Sequence, residues 1–311
     1  MTADRVHQPV LLAEALETLA VSPEGWYVDG TFGRGGHSRG LLDRLGSRGR
    51  LLVCDKDPEA MAVAWRLAAL DSRVEGWQGS FSELGRTLVE RGWQGRVNGI
   101  LLDLGVSSPQ LDDPRRGFAL MAEGPLDMRM DPGAGVSAAE WLATVSVKDM
   151  ARVFEEFGEE RFAWRIAQGL DRLRHQTPLT STRQLAAAIA ACQPSRERGQ
   201  HPATRCFQAI RIHLNRELDE LTAVLPQALA ALAAGGRLAV IAFHSLEDRI
   251  VKRFFKAEAR GTLFPKGVPL PGGPSGMQLK LLGRAIRPGV PEIDANPRAR
   301  SAILRVAERL A

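Results

Sequence analysis

The stretch from Tyr27 to Ser38 constrains this chain most. An apolar run, Tyr27-Val28-Asp29, passes through the glycine-dense turn Gly30-Thr31-Phe32-Gly33-Arg34-Gly35-Gly36 into the helix-like His37-Ser38. Glycines belong where the backbone must turn tightly and approach a ligand without Cβ atoms, with N–H groups of the next helix facing a negative group. About twenty residues on, Leu51-Leu52-Val53-Cys54-Asp55 reads as a second buried strand, ending in an acid placed to accept hydrogen bonds from ribose hydroxyls. For the glycines alone, a tight structural turn is the competing reading. Coupled to Asp55, they point to a nucleotide-type cofactor.

The spacing departs from the dinucleotide fingerprint. With Gly33 as the first glycine and Gly35 as the second, the third position falls on Ser38, so the pyrophosphate-binding pattern is incomplete. S-Adenosylmethionine carries an adenosine and a carboxylate but no pyrophosphate, so it needs the glycines and the ribose acid without that third position. The turn therefore leans towards a methyl donor. A nicotinamide-dependent oxidoreductase is the alternative, separable by a cofactor titration.

The 311 residues, 44% of them hydrophobic, can bury a full core in one large domain or two modest ones. No apolar run reaches the roughly 18 residues of a membrane span, and the N-terminus lacks a basic-then-apolar leader pattern, so a soluble protein with no membrane partner is expected. Cys54, Cys192 and Cys206 lie far apart and form no CxxC pair, which fits a reducing cytoplasm and argues against a zinc site. The net charge of +5 hides an asymmetry: from Arg249 onward there are 13 Lys or Arg against 4 Asp or Glu, giving +9, and the remainder carries −4. A basic segment of this kind is the electrostatic footprint of a nucleic-acid partner. Arg supplies 35 of the 41 basic residues, which suits phosphate forks and base stacking, although a GC-rich genome gives the same bias.

Along the chain, Val10 to Leu16 reads as an amphipathic helix and Ser22 to Gly25 as a turn. Short apolar strands, Leu51 to Cys54 and Ile100 to Leu102, alternate with helical segments such as Pro58 to Leu70 and Ser82 to Arg91. That alternation predicts right-handed βαβ units in a parallel sheet, with ligands beyond the carboxyl ends of the strands, where Gly33 to His37, Asp55, Gly79 to Phe81 and Asp103 fall. Between about Asp112 and Asn215 no strong strand appears. Ser137 to Glu140 is a capping box there, and Met150, Val153, Phe154 and Phe157 form a helical stripe that Phe162, Ile166, Leu170 and Leu173 continue. A long helix from about Ala203 sets Phe207, Ile210, Leu214, Leu218 and Leu221 on one face, with Arg205 and Arg216 opposite. Gly235-Gly236-Arg237 then leads into the strand Leu238 to Phe243, and His244 to Arg249 reads as a loop entering a basic helix through Lys256. Pro265 to Pro274 is expected to form a mobile loop by the site, and Ser301 to Val306 a last, antiparallel edge strand. The fold class expected is α/β, a Rossmann-like sheet with an inserted all-helical domain. The expected divisions are residues 1–111, 112–215 for substrate recognition, and 216–311.

Asp103-Leu104-Gly105-Val106-Ser107-Ser108-Pro109-Gln110 follows the apolar Ile100-Leu101-Leu102 at a strand mouth, a position that suits a target amine. An exocyclic amine on a base is a poor nucleophile because its lone pair is spread into the ring. A site must hold both N–H bonds on acceptors and aim the lone pair at the methyl group, and carbonyls and hydroxyls of Ser107 and Ser108 beside Pro109 can do so. An ordinary Ser-Ser-Pro turn is equally compatible with these residues. His37 at a helix start suits a cofactor contact or a cap, and His244 lies where it can face the substrate. The H-x-E and P-C-x-x-C pattern of zinc deaminases is absent from the sequence.

Six motifs together, Asp29-Gly-Thr-Phe-Gly-Arg-Gly-Gly-His37, Leu102-Asp-Leu-Gly-Val-Ser-Ser-Pro-Gln-Leu-Asp112, Gly124-Pro-Leu-Asp-Met-Arg-Met130, His201-Pro-Ala-Thr-Arg205, Phe243-His-Ser-Leu-Glu-Asp-Arg249 and Asn296-Pro-Arg-Ala-Arg-Ser301, resemble the bacterial small-subunit ribosomal RNA cytosine-N4 methyltransferase family. The resemblance covers nearly the whole chain. It implies S-adenosylmethionine-dependent methylation of the N4 amine of one cytidine in 16S rRNA, on a largely assembled small subunit in the cytoplasm, with no DNA expected as substrate. Carried over by position, the cofactor contacts are Gly35, Gly36, His37, Asp55, Phe81, Asp103 and Gln110, alongside Gly33 of the turn. Ser107, Ser108 and Pro109 are the candidate catalytic residues, and Phe243, His244 and Arg249 the candidate substrate contacts. Ser108-Pro109-Gln110 matches only in part the Ser/Asn/Asp-Pro-Pro-aromatic tetrad of DNA amino-methyltransferases, so base stacking must come from elsewhere, Phe243 being one choice. A DNA amino-methyltransferase, an RNA-binding assembly factor without turnover, and a homodimer all stay open at this stage.

Overall fold

The computed structural model describes residues 9–194, 201–261 and 276–311. The chain divides into two compact units, one built from Met1–Gly105 with Leu218–Ala311 and the other from Val106–Glu217. The first unit begins with α1 (Leu12–Thr18) and β1 (Trp26–Asp29). It continues through α2 (Gly36–Leu42), β2 (Arg50–Asp55), α3 (Pro58–Leu70), β3 (Val74–Gln78), α4 (Leu84–Glu90) and β4 (Val97–Asp103). The second holds α5 (Ser108–Asp112), α6 (Ala138–Thr144), α7 (Val147–Gly158), α8 (Ala163–Arg174), α9 (Thr182–Cys192) and α10 (Thr204–Asn215). The first unit then resumes with α11 (Glu217–Ala231), β5 (Leu232–Ala242), α12 (Ser245–Arg260), β6 (Leu279–Leu281), α13 (Val290–Ala295) and β7 (Ile303–Arg309).

The seven strands form one sheet in the order β3-β2-β1-β4-β5-β7-β6. β3 to β5 run parallel, while β7 lies antiparallel to both β5 and β6. Strand residues alternate between two cores, as a period of two requires. Tyr27, Leu51, Val53, Leu101 and Ile241 enter the core shared with α1, α2 and α3. Val28, Leu52, Ile100, Leu102 and Val240 enter the one shared with α4, α11 and α12. Both faces are covered, so these strands read as continuous apolar runs. The strand order reverses between β1 and β4, where Gly30 N–H donates to the Leu101 carbonyl at 3.0 Å. In open α/β sheets the ligand crevice lies at such a switch point, outside the carboxyl ends of the strands. This is a Rossmann-like open α/β sheet.

The helical unit has its own core, in which Trp141, Met150, Phe154, Ile166, Leu170 and Ile210 are buried. It begins at Val106, ahead of the boundary expected at Asp112, so Ser107 to Gln110 belong to it. The long helix expected from Ala203 is two helices, because Arg216 adopts a left-handed φ of 52° between α10 and α11. Asn215 fixes that break: its Nδ2 donates to the Met128 carbonyl and its Oδ1 accepts from Met130 N–H, at 2.8 and 2.7 Å. Gly235 and Gly236 do not precede β5 but lie inside it, at an irregularity where pairing with β4 shifts between Val97 and Gly99. His244 to Arg249 is not a loop either, since His244 caps α12 and the helix runs on from Ser245. β3 and β6 complete the sheet without a strong strand signal, and the last strand starts at Ile303 after a 3-10 turn over Pro297–Ser301. The loop expected over Pro265 to Pro274 lies outside the described residues.

Candidate active site

The turn after β1 is built from short-range backbone bonds that need glycine. Phe32 N–H donates to the Cys54 carbonyl at 2.9 Å, and Gly35 N–H returns to the Phe32 carbonyl at 2.7 Å. Gly33 and Gly35 sit at φ of 54° and 71°, and a Cβ on Gly35 would lie 2.5 Å from the Phe32 ring. Any larger residue at 35 is therefore strained in its backbone and blocked by the ring. Gly36 starts α2, and His37 and Ser38 point inward from its first turn.

Three acids end strands of this unit. Asp55, at the end of β2, accepts from Gly33 N–H at 2.8 Å through Oδ2 and from Asp57 N–H at 2.9 Å through Oδ1. These bonds lock the glycine turn to β2 and leave carboxylate lone pairs for further donors. Asp29, 1% exposed, accepts from Ser38 Oγ at 2.6 Å and Thr31 N–H at 3.2 Å. Burial pushes Asp29 and Asp55 each up to about 6, against hydrogen bonds that pull the other way. Asp103 ends β4, where its N–H donates to Thr31 Oγ1 at 2.6 Å. Its Oδ2 lies 3.6 Å from His37 Nδ1, and its Oδ1 is enclosed with no hydrogen-bond partner among the described residues. Burial, reinforced by the charges of Asp29 and Glu247, raises the Asp103 carboxyl well above the usual range.

His37 is buried inside α2, with Nε2 at 3.0 Å from the Val10 carbonyl. A carbonyl only accepts, so Nε2 carries the hydrogen and Nδ1 is the atom turned to Asp103. His37 is thus neither a helix cap nor solvent-facing. Phe81 opens a 3-10 turn after β3 and leans on the core of β4 and β5. At the mouth of β5, Glu247 Oε2 accepts from Phe243 N–H at 2.8 Å and His244 N–H at 3.3 Å, while its Oε1 lies 3.2 Å from His244 Nε2. Arg249 projects from the exposed side of α12 one turn beyond. Gly33 to His37, Asp55, Phe81, Asp103, Phe243 and His244 therefore all lie at strand mouths of the α/β unit.

Ser107, Ser108, Pro109 and Gln110 lie in the helical unit, at the start of α5. Gln110 is buried and its Oε1 accepts from Ser107 N–H at 2.8 Å, closing the first turn of that helix. Asp29 and Glu247 are the participants that reading by motif left without a role. For Glu247 the spacing His244-x-x-Glu247 was a visible signal, because a capping box pairs positions three apart. Lys56 and Glu220, 2.5 Å apart, tie the end of β2 to α11, and nothing local in the sequence announces a contact so distant.

The site fits a cationic nucleotide-like cofactor. Asp29, Asp55 and Asp103 would repel a pyrophosphate but suit a sulfonium and an ammonium, and the enclosed Asp103 Oδ1 is an acceptor waiting for a donor. S-Adenosylmethionine meets those terms. Residues 4–310 match the model of the MraW methylase family. The chain belongs to the MraW methylase family. Among its relatives, the "Ribosomal RNA small subunit methyltransferase H" of Thioalkalivibrio sulfidiphilus is 57% identical over 306 residues, covering 98% of both chains. That of Thiobacillus denitrificans is 58% identical over 307 residues, covering 98% of this chain and 97% of the relative. Among solved structures, a putative rRNA methylase from Clostridium thermocellum aligns over 98% of both chains at a TM-score of 0.46 and 12% identity. This member of the methylase family carries its glycine turn and its three aspartates at the carboxyl ends of neighbouring strands.

Proposed function

We propose that this methyltransferase modifies the exocyclic N4 amine of one cytidine in the 16S rRNA of the small ribosomal subunit. The observation that carries the reading is the full-length relationship, above 50% identity, to proteins named for small-subunit ribosomal RNA methylation. The acid-lined glycine turn and the basic α12 agree with it.

When bound, S-adenosylmethionine supplies an electrophilic methyl group. Asp55 would hold its ribose hydroxyls, Phe81 would lie beside its adenine, and Asp103 would take its ammonium. Ser107 and Ser108, stiffened by Pro109, take the two N–H bonds of the target amine so that its lone pair is aimed rather than delocalised. The amine needs no strong base beforehand, because its proton would become acidic as the methyl group passed from sulfur to nitrogen, and would then leave to a carbonyl, a water or a nearby carboxylate. Phe243 and His244 flank the base, which must be unstacked, and Arg249 holds a phosphate.

The test is methyl transfer from labelled S-adenosylmethionine to small subunits from cells lacking this protein, followed by nucleoside analysis of the digested 16S rRNA. Label in N4-methylcytidine at one position is the expected result. Tight cofactor binding without transfer to subunits or free RNA would favour an assembly factor or another nucleic acid.

A further inference from the structure

α8 buries Ala163, Ile166, Ala167 and Leu170 in the helical core. Its opposite side carries Trp164, Arg165, Gln168 and Arg172, all exposed. At 3.6 residues per turn these four fall within roughly 100° of one another, one stripe of the helix. Trp164 is 55% exposed, so about half of its surface faces water. Arg161, in the turn before the helix, is also exposed and holds its guanidinium 5.7 Å from the Phe162 ring centroid. Among the described residues, no ion pair joins Arg161, Arg165 or Arg172 to an acid. Asp171, the only acid in α8, is engaged by Arg174 at 2.6 Å.

A solvated charged face would ordinarily mix signs, and this stripe does not. A half-exposed indole between guanidiniums without an ion-pair partner has the composition of a single-strand platform, in which a base stacks on the ring and arginines fork the flanking phosphates. We propose that this face of α8 binds an unpaired segment of the RNA substrate, one base stacking on Trp164 with phosphates on Arg161, Arg165 and Arg172. The proposal rests on the RNA reading above and adds a contact in the helical unit.

The experiment titrates full-length protein with a fluorescent single-stranded RNA of about 12 nucleotides, within the span of known single-strand sites, over a salt series. Trp164→Ala should weaken binding roughly 5- to 100-fold with the salt slope unchanged, and Trp164→Phe should recover most of the loss. Arg165→Gln with Arg172→Gln should instead lower the slope by about 1.4, roughly 0.7 per phosphate released. An unchanged far-ultraviolet circular-dichroism spectrum and thermal melt verify that each variant is folded. The proposal is overturned if Trp164→Ala binds RNA like the parent while the parent still methylates subunits, which leaves the methyltransferase reading intact. It is also overturned if the loss appears with whole subunits but not with protein-free RNA, the mark of a protein partner. A parent protein that neither binds RNA nor transfers methyl groups would sink both readings.

Discussion

Asp29 pairs near-complete burial with a carboxyl pushed up to about 6, and the sign of the resulting linkage can be worked out. Its folded value lies above its ordinary 3.8, so the folded chain holds that proton more tightly than the unfolded chain does. The stabilisation this contributes is complete below about 3.8 and is lost as pH rises through about 6. Asp29→Asn should therefore flatten the fall in melting temperature between pH 4 and 6, read by circular dichroism; an unaltered fall would assign it to other groups. Asp55 shows the same shift, and its proposed role on the ribose would need its ionised form. Cofactor affinity should weaken as pH drops through about 6, and Asp55→Ala should weaken it at neutral pH by about 1.5–3 kcal/mol, the range for hydrogen bonds to a charged group. Ser108→Ala or Pro109→Ala should spare cofactor binding in the same titration and slow turnover. Equal binding losses in all three variants would end that division of roles. Reading motifs located the glycines and Asp55 because strand, turn and acid are neighbours in the chain. Asp29 was missed as an actor because its role comes from Ser38 and Thr31 closing over it.

At the scale of elements, α12 separates its charges by side. Arg249, Lys252, Arg253, Lys256 and Arg260 are exposed, spaced to share one stripe, whereas Asp248 is gripped by Arg305 at 2.6 Å and Glu258 accepts from Gln278. A stripe of one sign left facing water attracts phosphate through counterion release. Replacing Arg249, Lys252 and Arg253 together by Gln should flatten the salt dependence of RNA binding by about 2 in log–log slope. An identical slope would place the RNA elsewhere on the surface. Elements with strong apolar runs, β1, β2, β4 and β5, were legible because both faces of the sheet are covered. β3, with the sequence Val-Glu-Gly-Trp-Gln, is half exposed at the sheet edge and lacks that signature. The break at Arg216 was illegible for another reason: no glycine or proline marks it, and the bonds that hold it come from Met128 and Met130, far back in the chain.

On the scale of the whole chain, the α/β unit is discontinuous and the helical unit is not. Met1–Gly105 ends with β4, whose neighbour β5 arrives only after the insertion, so this segment alone would leave a long apolar strand edge unpaired. Closing the sheet across the insertion adds little, because loop entropy grows only with the logarithm of length. Val106–Glu217, by contrast, carries a complete core of its own, from Phe118 to Ile210. Such units open as separate cooperative blocks, each with its own free energy. S-Adenosylhomocysteine at about 100 times its Kd adds about 2.7 kcal/mol to whatever block it binds. Since the acids and glycines of the site belong to the α/β unit, hydrogen-exchange protection should rise across β1, β2, β4 and α2. The cores of α7, α8 and α10 should exchange as they do without it. A uniform rise through α7, α8 and α10 would show that the two units open as one.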